Sequence, residues 1–227
     1  MPSGRCGERG DREEQRILNR WIFDEPIMLK RCFDMISSLM GLILVSPSFL
    51  IVPLLIKLDS KGPVFFKQWR IGKDGKQFTI YKFRTMVQDA DKMGSKITAR
   101  NDLRITKIGK VLRRYEIDEL PTLINVLKGD MSVVGPRPEI PRYLKHFDNL
   151  KYREVLSVRP GITDLGTITF RDEAKYLNAH NYEDIYESEI LPQKLDLYLK
   201  YTRNRSFLFD LRIILKTIIL ILKQRKI

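Results

Sequence analysis

Apolar positions fall into four stretches along the 227 residues. Up to Arg16 they are almost absent, and Gly, Arg and Glu dominate. Such a stretch buries too little to offset its ordering entropy, so residues 1–27 are expected to form a disordered extension. Met28, ahead of Leu29-Lys30-Arg31, is the expected start of the folded part; Trp21, Ile22 and Phe23 could touch a membrane surface. From Cys32 to Leu58 apolar residues are nearly continuous, CFDMISSLMGLILVSPSFLIVPLLIKL, with charges only at Asp34 and Lys57. Between 64 and 203 they alternate or recur at helical spacing. From 206 to 227 they return as SFLFDLRIILKTIILILKQRKI, interrupted by Asp210, Arg212 and Lys216.

As one straight helix the 32–58 run would measure about 40 Å, against a hydrocarbon core of about 30 Å. Ser46-Pro47 breaks it. Proline removes a backbone donor and clashes with the preceding turn, and a serine hydroxyl can satisfy a freed carbonyl. Broken there, the arms reach about 21 Å and 16 Å, so neither crosses. Lys30 and Arg31 precede the run; Lys57, Lys61 and Lys67 follow it. Positive residues favour the cytoplasmic side, so both ends fit one face. Two readings stand: a re-entrant helix-break-helix, or a kinked spanning helix. The 206–227 stretch likewise fits an amphipathic helix in the membrane interface or a terminal helix packed on the core.

Between these runs, Val64 to Trp69 predicts a strand, Lys73-Asp74-Gly75-Lys76 a turn, and Gln77 to Phe83 the return strand. This hairpin carries Gln68, Arg70, Lys82 and Arg84. Residues 87–103 predict a short helix and a mobile loop. Ile105, Ile108, Val111 and Leu112 keep helical spacing up to Arg113-Arg114. A second helix is expected from Asp118 to Lys128, with Asp118 as its cap, Pro121 in the first turn and Gly129 as the stop. Helices over 139–156 and 183–203 follow, separated by a turn at Arg159-Pro160-Gly161. The fold class is α/β, dominated by helix, with a small β-hairpin. No G-x-G-x-x-G or G-x-x-x-x-G-K-[ST] occurs, which excludes the standard phosphate loops.

Charge narrows the partners. Forty-one Lys and Arg against 28 Asp and Glu give +13, which favours anionic lipid, phosphorylated small molecules or nucleic acid. Trp69 with Arg70 is thin support for nucleic acid, and the apolar runs speak against it. Cys6 and Cys32 form no disulfide framework or zinc spacing, and His146 and His180 are expected on the surface or in loops.

The candidate chemistry lies in Asp118-Glu119-Leu120-Pro121 and Gly135-Pro136-Arg137-Pro138. An Asp at a helix start is a preferred cap, and Glu119 there complements the helix dipole; that is one reading. The other is catalysis on a phosphate. Arg113 and Arg114 lie just upstream, and the prolines around Arg137 restrict the backbone that presents it. Neighbouring carboxylates on a helix diverge by about 100°, so one could act as nucleophile while the other handles metal or a proton.

With these residues stand Lys30-Arg31-Cys32-Phe33-Asp34, Ser46-Pro47, Gly62-Pro63-Val64-Phe65-Phe66-Lys67-Gln68 with Arg70 and Gly72, and Tyr81-Lys82-Phe83-Arg84-Thr85-Met86. Asn125-Val126-Leu127-Lys128-Gly129-Asp130-Met131-Ser132 and Arg159-Pro160-Gly161-Ile162-Thr163 complete the set. In this order they resemble the monotopic phosphoglycosyl transferases of bacterial sugar transferase type, in the minimal form, over about 28–227. The resemblance implies a re-entrant membrane hairpin over 28–59 and a catalytic domain over 60–227 on the cytoplasmic face of a bacterial inner membrane. It implies transfer of a phospho-sugar from a UDP-sugar to undecaprenyl phosphate, releasing UMP, as the first membrane step of a glycoconjugate pathway. Asp118 would be the nucleophile, Glu119 its assistant, and Mg²⁺, with Asp118 as a ligand, would neutralise the diphosphate. Lys82 and Arg137 would hold phosphate, with Gln68, Arg70, Arg113 and Arg159 as further substrate contacts. Partners would be inner-membrane lipids and the two substrates, with a homodimer allowed and nucleic acid excluded. After Thr163 the chain departs from the family's usual pattern with Asp164-Leu165-Gly166, which leaves the donor sugar open. The competing class is a non-catalytic membrane anchor that recruits partners and has no need of Asp118.

Overall fold

A break in the helix ladder sets the N-terminal architecture. The computed structural model describes residues 27–90, 93, 102–148, 150–170 and 182–223. Helix α1 (Ile27–Val45) and helix α2 (Ser48–Asp59) meet at Pro47, bent by 59°. Pro47 cannot donate to the Ile43 carbonyl; the Ser46 hydroxyl donates to it instead, at 2.8 Å. Ser48 does the same for Val45 at 2.6 Å. Among the described residues no single helix is long and apolar enough to cross a membrane, and this bent pair passes only as a pair. One side of α2 is buried: Val52 and Ile56 pack with Phe83, Leu112, Phe49 and Ile117. The other is open, with Leu50, Leu54 and Leu58 largely exposed.

Strands β1 (Phe65–Ile71) and β2 (Gln77–Phe83) form the expected antiparallel hairpin. Asp74 at its tip takes a φ of 57° and Gly75 one of 74°. Helix α3 (Lys107–Arg114) starts where Thr106 accepts from the Gly109 amide at 2.9 Å. Asp59 accepts from the Ile108 amide at 2.9 Å, which joins α2 to α3.

The expected helix from Asp118 begins later. Ile117–Glu119 is a 3₁₀ turn, and helix α4 is Thr122–Lys128, entered through Pro121. Asp118 is therefore not its cap. Proline lacks the amide that would continue an α-helical ladder back to Ile117, so Pro121 suits the entry to a helix rather than its second turn. Gly129, with a φ of 91°, is the stop, as expected.

Two further expectations are corrected. Residues 139–156 do not form one helix: the 3₁₀ turns Pro141–Phe147 and Glu154–Ser157 flank a four-residue helix α5 (Leu150–Arg153). Ile140 and Tyr143, buried three apart, suit three residues per turn as well as they suit a helix. Arg159-Pro160-Gly161 is not simply a turn, because Gly161 opens strand β4 (Gly161–Thr163), parallel to β3 (Ser132–Val134). Three-residue strands leave no period in a sequence.

After the short helix α6 (Leu165–Thr169), helix α7 (Tyr182–Ile185) continues through a π turn, Tyr186–Ile190, into α8 (Leu191–Asn204). Pro192 explains the wider turn, since it cannot donate to the carbonyl one turn back. Leu191, Leu195, Tyr198 and Leu199 pack on Tyr143, Phe147 and Ile71. The terminal helix α9 (Phe207–Lys223) packs one side on the core, as one reading expected: Ile213 packs with Val134 and Tyr201, while Leu208, Leu215, Ile218, Ile219 and Leu222 are exposed. His146 lies half-buried beside Glu187 at 3.0 Å, and Cys32 is exposed. The expectations for residues 1–26, for His180 and for most of 87–103 fall outside the described residues. The described residues from Asp34 to Lys223 pack as one unit.

Candidate active site

Three local structures bring the expected residues together. At the end of α3, Glu116 takes a left-handed φ of 56° and turns the chain into the 3₁₀ turn that carries Asp118 and Glu119. A non-glycine residue there holds strain of the order of 1–3 kcal/mol, which the surrounding packing must override.

Strand β2 supplies Lys82, and buried Asn125 fixes its distance from that turn. The Asn125 amide donates to Thr79 O at 2.7 Å and its oxygen accepts from the Tyr81 amide at 3.1 Å. Thr122 Oγ1 donates to Tyr81 O at 3.2 Å. These bonds satisfy the free edge of β2 and lock α4 beside it.

The pair β3–β4 supplies Arg137. Gly135 N donates to Thr163 O at 3.1 Å, and Gly161 N donates to Pro136 O at 2.9 Å. Gly135 and Gly161 lie so close that a Cβ on either would strike the other's backbone or that of Arg159. The loop 135–138 is thus held on both sides.

At the centre is Glu119. Its Oε1 accepts from Lys82 Nζ at 2.6 Å and from Arg137 Nη2 at 2.6 Å. The two cations hold the Glu119 carboxyl well below the usual carboxylate range, against the burial that opposes them. Arg137 is raised by the same Glu119 charge, and Lys82 is lowered chiefly by burial. Asp118, one residue away, has the opposite surroundings. It makes no ion pair among the described residues, and burial, then repulsion from Glu119, raise its carboxyl above 3.8. Adjacent acids whose environments push them apart are suited to different roles.

A shallow cleft is lined by Arg70, Lys82, Glu119, Thr122, Arg137 and Ile162. Arg70 reaches it while donating to Pro138 O at 3.0 Å and to Gln68 Oε1 at 2.7 Å. Gln68 therefore orients Arg70. Arg113 Nε donates to Thr85 Oγ1 at 2.8 Å, and Asp118 is the strongest charge acting on it. Arg159 is turned elsewhere: its Nε donates to Gly129 O at 2.8 Å, closing the end of α4. The structure thus gathers Lys82, Glu119, Arg137 and Arg70 on the cleft, places Asp118 and Arg113 beside them, and gives Arg159 a structural bond.

The sequence reading missed the supports. Glu139 is buried, receives the Tyr186 hydroxyl at 3.2 Å, and is the main charge stabilising the Arg70 cation. A glutamate directly after Gly-Pro-Arg-Pro was the available signal. Asn125 opens the Asn125–Ser132 motif and Thr122 directly follows Pro121, but nothing in their spacing points to a strand edge.

Magnesium asks for hard oxygen donors, one or two carboxylates completed by substrate phosphates. Among the described residues no group of three or more His, Cys, Asp and Glu side chains forms a protein cage for a metal. Asp118 and Glu119 meet the smaller requirement, so the donor set fits Mg²⁺ arriving with a phosphorylated substrate.

The family model for bacterial sugar transferases matches residues 26–224. A UDP-N-acetylgalactosamine-undecaprenyl-phosphate N-acetylgalactosaminephosphotransferase of Aeromonas hydrophila is 39% identical over 194 residues, 84% of this chain and 43% of that protein. The UDP-glucose:undecaprenyl-phosphate glucose-1-phosphate transferase of Escherichia coli (strain K12) is 37% identical over 211 residues, 87% of this chain and 42% of that one. The chain thus spans less than half the length of these two relatives. The exopolysaccharide production protein PSS of Rhizobium leguminosarum bv. phaseoli is 41% identical over 203 residues, covering 85% of this chain and 94% of the relative.

Proposed function

Since the chain belongs to the bacterial sugar transferase family, we propose that it moves a sugar 1-phosphate from a UDP-sugar to undecaprenyl phosphate and releases UMP. The observation that carries this reading is the Asp118 carboxyl, in no ion pair among the described residues, directly beside the Lys82–Glu119–Arg137 cluster that lines the cleft. The relatives named for this reaction act on undecaprenyl phosphate with glucose or N-acetylgalactosamine donors.

The chemistry follows in two displacements. An oxygen of ionised Asp118 attacks the β-phosphorus; the phosphorus bond to the bridging oxygen breaks, and UMP leaves with that electron pair. The sugar 1-phosphate is then bonded to Asp118 as an acyl phosphate. A phosphate oxygen of undecaprenyl phosphate attacks the same phosphorus, the bond to Asp118 breaks, and the carboxylate is restored. Lys82, Arg137 and Arg70 bind and orient the phosphates. Glu119 keeps Lys82 and Arg137 in place and charged, and is the residue placed to hand them to the incoming anion. Mg²⁺, held by the Asp118-Glu119 carboxylates and the diphosphate, would neutralise charge there.

The helix pair α1–α2 serves as the re-entrant anchor. Its exposed leucines and those of α9 supply apolar surface for lipid, and the bend at Pro47 returns the chain to the face it entered. The body after residue 59 then works at the cytoplasmic side of the inner membrane. The purified 227-residue chain in lipid nanodiscs, given undecaprenyl phosphate, Mg²⁺ and a panel of UDP-sugars, should release UMP with at least one donor. Failure with every donor, against an active relative in the same assay, would remove this reading.

A further inference from the structure

Strand β3 is hydrogen-bonded to two side chains that no chemical step uses: it donates to one and accepts from the other. Asp34, near the start of the apolar run, is 2% exposed. Its Oδ1 accepts from the Val133 amide at 3.1 Å. A carboxylate in an apolar segment is costly to bury without such a partner. One residue further along β3, the Val134 carbonyl meets the Tyr201 hydroxyl at 3.1 Å, which also lies 2.8 Å from Asp210 Oδ1. Beyond Val134 the strand runs directly into Gly135-Pro136-Arg137-Pro138, tied to β4 by the Gly135 and Gly161 amides. Two prolines leave that segment little freedom to absorb a shift. A displacement of β3 is therefore passed on to Arg137, whose Nη2 stands 2.6 Å from Glu119.

We propose that Asp34 is a positioning residue: its carboxylate fixes β3, and through the proline-clamped loop the Arg137 guanidinium, to the apolar helix pair. The segment Asp34–Val45 then sets the cleft as well as contributing to the anchor. This rests on the transferase reading of the site.

The test is a double-mutant cycle on UMP release by the same chain in nanodiscs, with wild type, Asp34→Ala, Arg137→Ala and the double variant. Asp34→Ala should lower kcat on the order of tenfold while KM for the UDP-sugar stays within about twofold, as expected for misplacement of a distant group. Asp34→Asn keeps an acceptor oxygen and should recover most of the loss. In the Arg137→Ala background Asp34→Ala should cost less than about twofold, because coupled residues are not additive. Hydrogen exchange over 132–138 should quicken in Asp34→Ala. An equal loss in both backgrounds, or no loss in the wild-type background, overturns the proposal and leaves the transferase reading standing. No UMP release by the wild type overturns both. If Asp34→Ala does not fold, Asp34→Ser, too short to reach the Val133 amide, carries the same cycle: coupling to Arg137 supports the proposal, and an additive loss overturns it.

Discussion

Asp118 and Glu119 are neighbours held in opposite states, and each state makes a separate expectation. Burial and the Glu119 charge raise the Asp118 carboxyl above 3.8. Folding therefore disfavours its ionised form, and the native state loses stability as pH rises through that elevated value. Asp118→Asn removes this cost: it should abolish nearly all UMP release while its Tm at pH 7 stays the same or rises. A Tm lowered by several degrees would mean that Asp118 serves the fold. The pH profile of kcat in the wild type should fall on its acid limb with an apparent pKa above the usual aspartate value. Glu119 has the reverse sign. Its depressed carboxyl contributes stability above the ordinary 4.5 that is lost as pH falls toward the folded value. Glu119→Gln should cost about 1–3 kcal/mol, because Lys82 and Arg137 are left facing each other. Chemical denaturation at pH 7 measures it, and a variant as stable as wild type would show that the cluster is weakly coupled. From the sequence, Asp118, Glu119, Lys82 and Arg137 were all legible by residue type and motif. That Glu119 bonds both cations was not, because it depends on three chain segments meeting.

At the scale of elements, long patterns were legible and short ones were not. The hairpin 65–83, the break at Pro47 and the stop at Gly129 follow from local rules of alternation, a missing amide and a left-handed glycine. The strands β3 and β4 have three residues each, and their pairing is set by Gly135 against Gly161 across the fold. The dyad's turn was misread as a helix start because Asp118 suits an N-cap; Pro121 and the left-handed Glu116 decide otherwise. Asn125 gives a test at this scale. Asn125→Ala leaves the Tyr81 amide and Thr79 carbonyl unpaired in a buried place, at about 1–3 kcal/mol for each such group. Melting should drop accordingly, and the remaining folded protein should lose turnover through Lys82. An unchanged Tm would show that α4 is held without it. Pro47→Ala restores a donor for Ile43 O and should shift α1–α2 toward a continuous helix long enough to span. Cysteines placed near residues 25 and 62 should both resist an impermeant reagent outside spheroplasts in the wild type. In Pro47→Ala, labelling of one site should appear. The same protection in both proteins would assign the turn to other packing.

For the whole molecule, the +13 charge suits anionic partners, and the outward leucines of α2 and α9 leave apolar surface exposed. From the sequence, the charge pointed to anionic partners without choosing among them. The central claim is covalent transfer through Asp118, and intact-mass spectrometry tests it most directly. The protein is incubated with Mg²⁺ and a UDP-sugar that supports UMP release, without undecaprenyl phosphate. The expected result is an added phospho-sugar on the peptide containing Asp118, one UMP for each adduct, and loss of the adduct when undecaprenyl phosphate is supplied. Asp118→Asn should show none. Unmodified protein that releases UMP only once undecaprenyl phosphate is present would contradict the claim, because the transfer would then be direct.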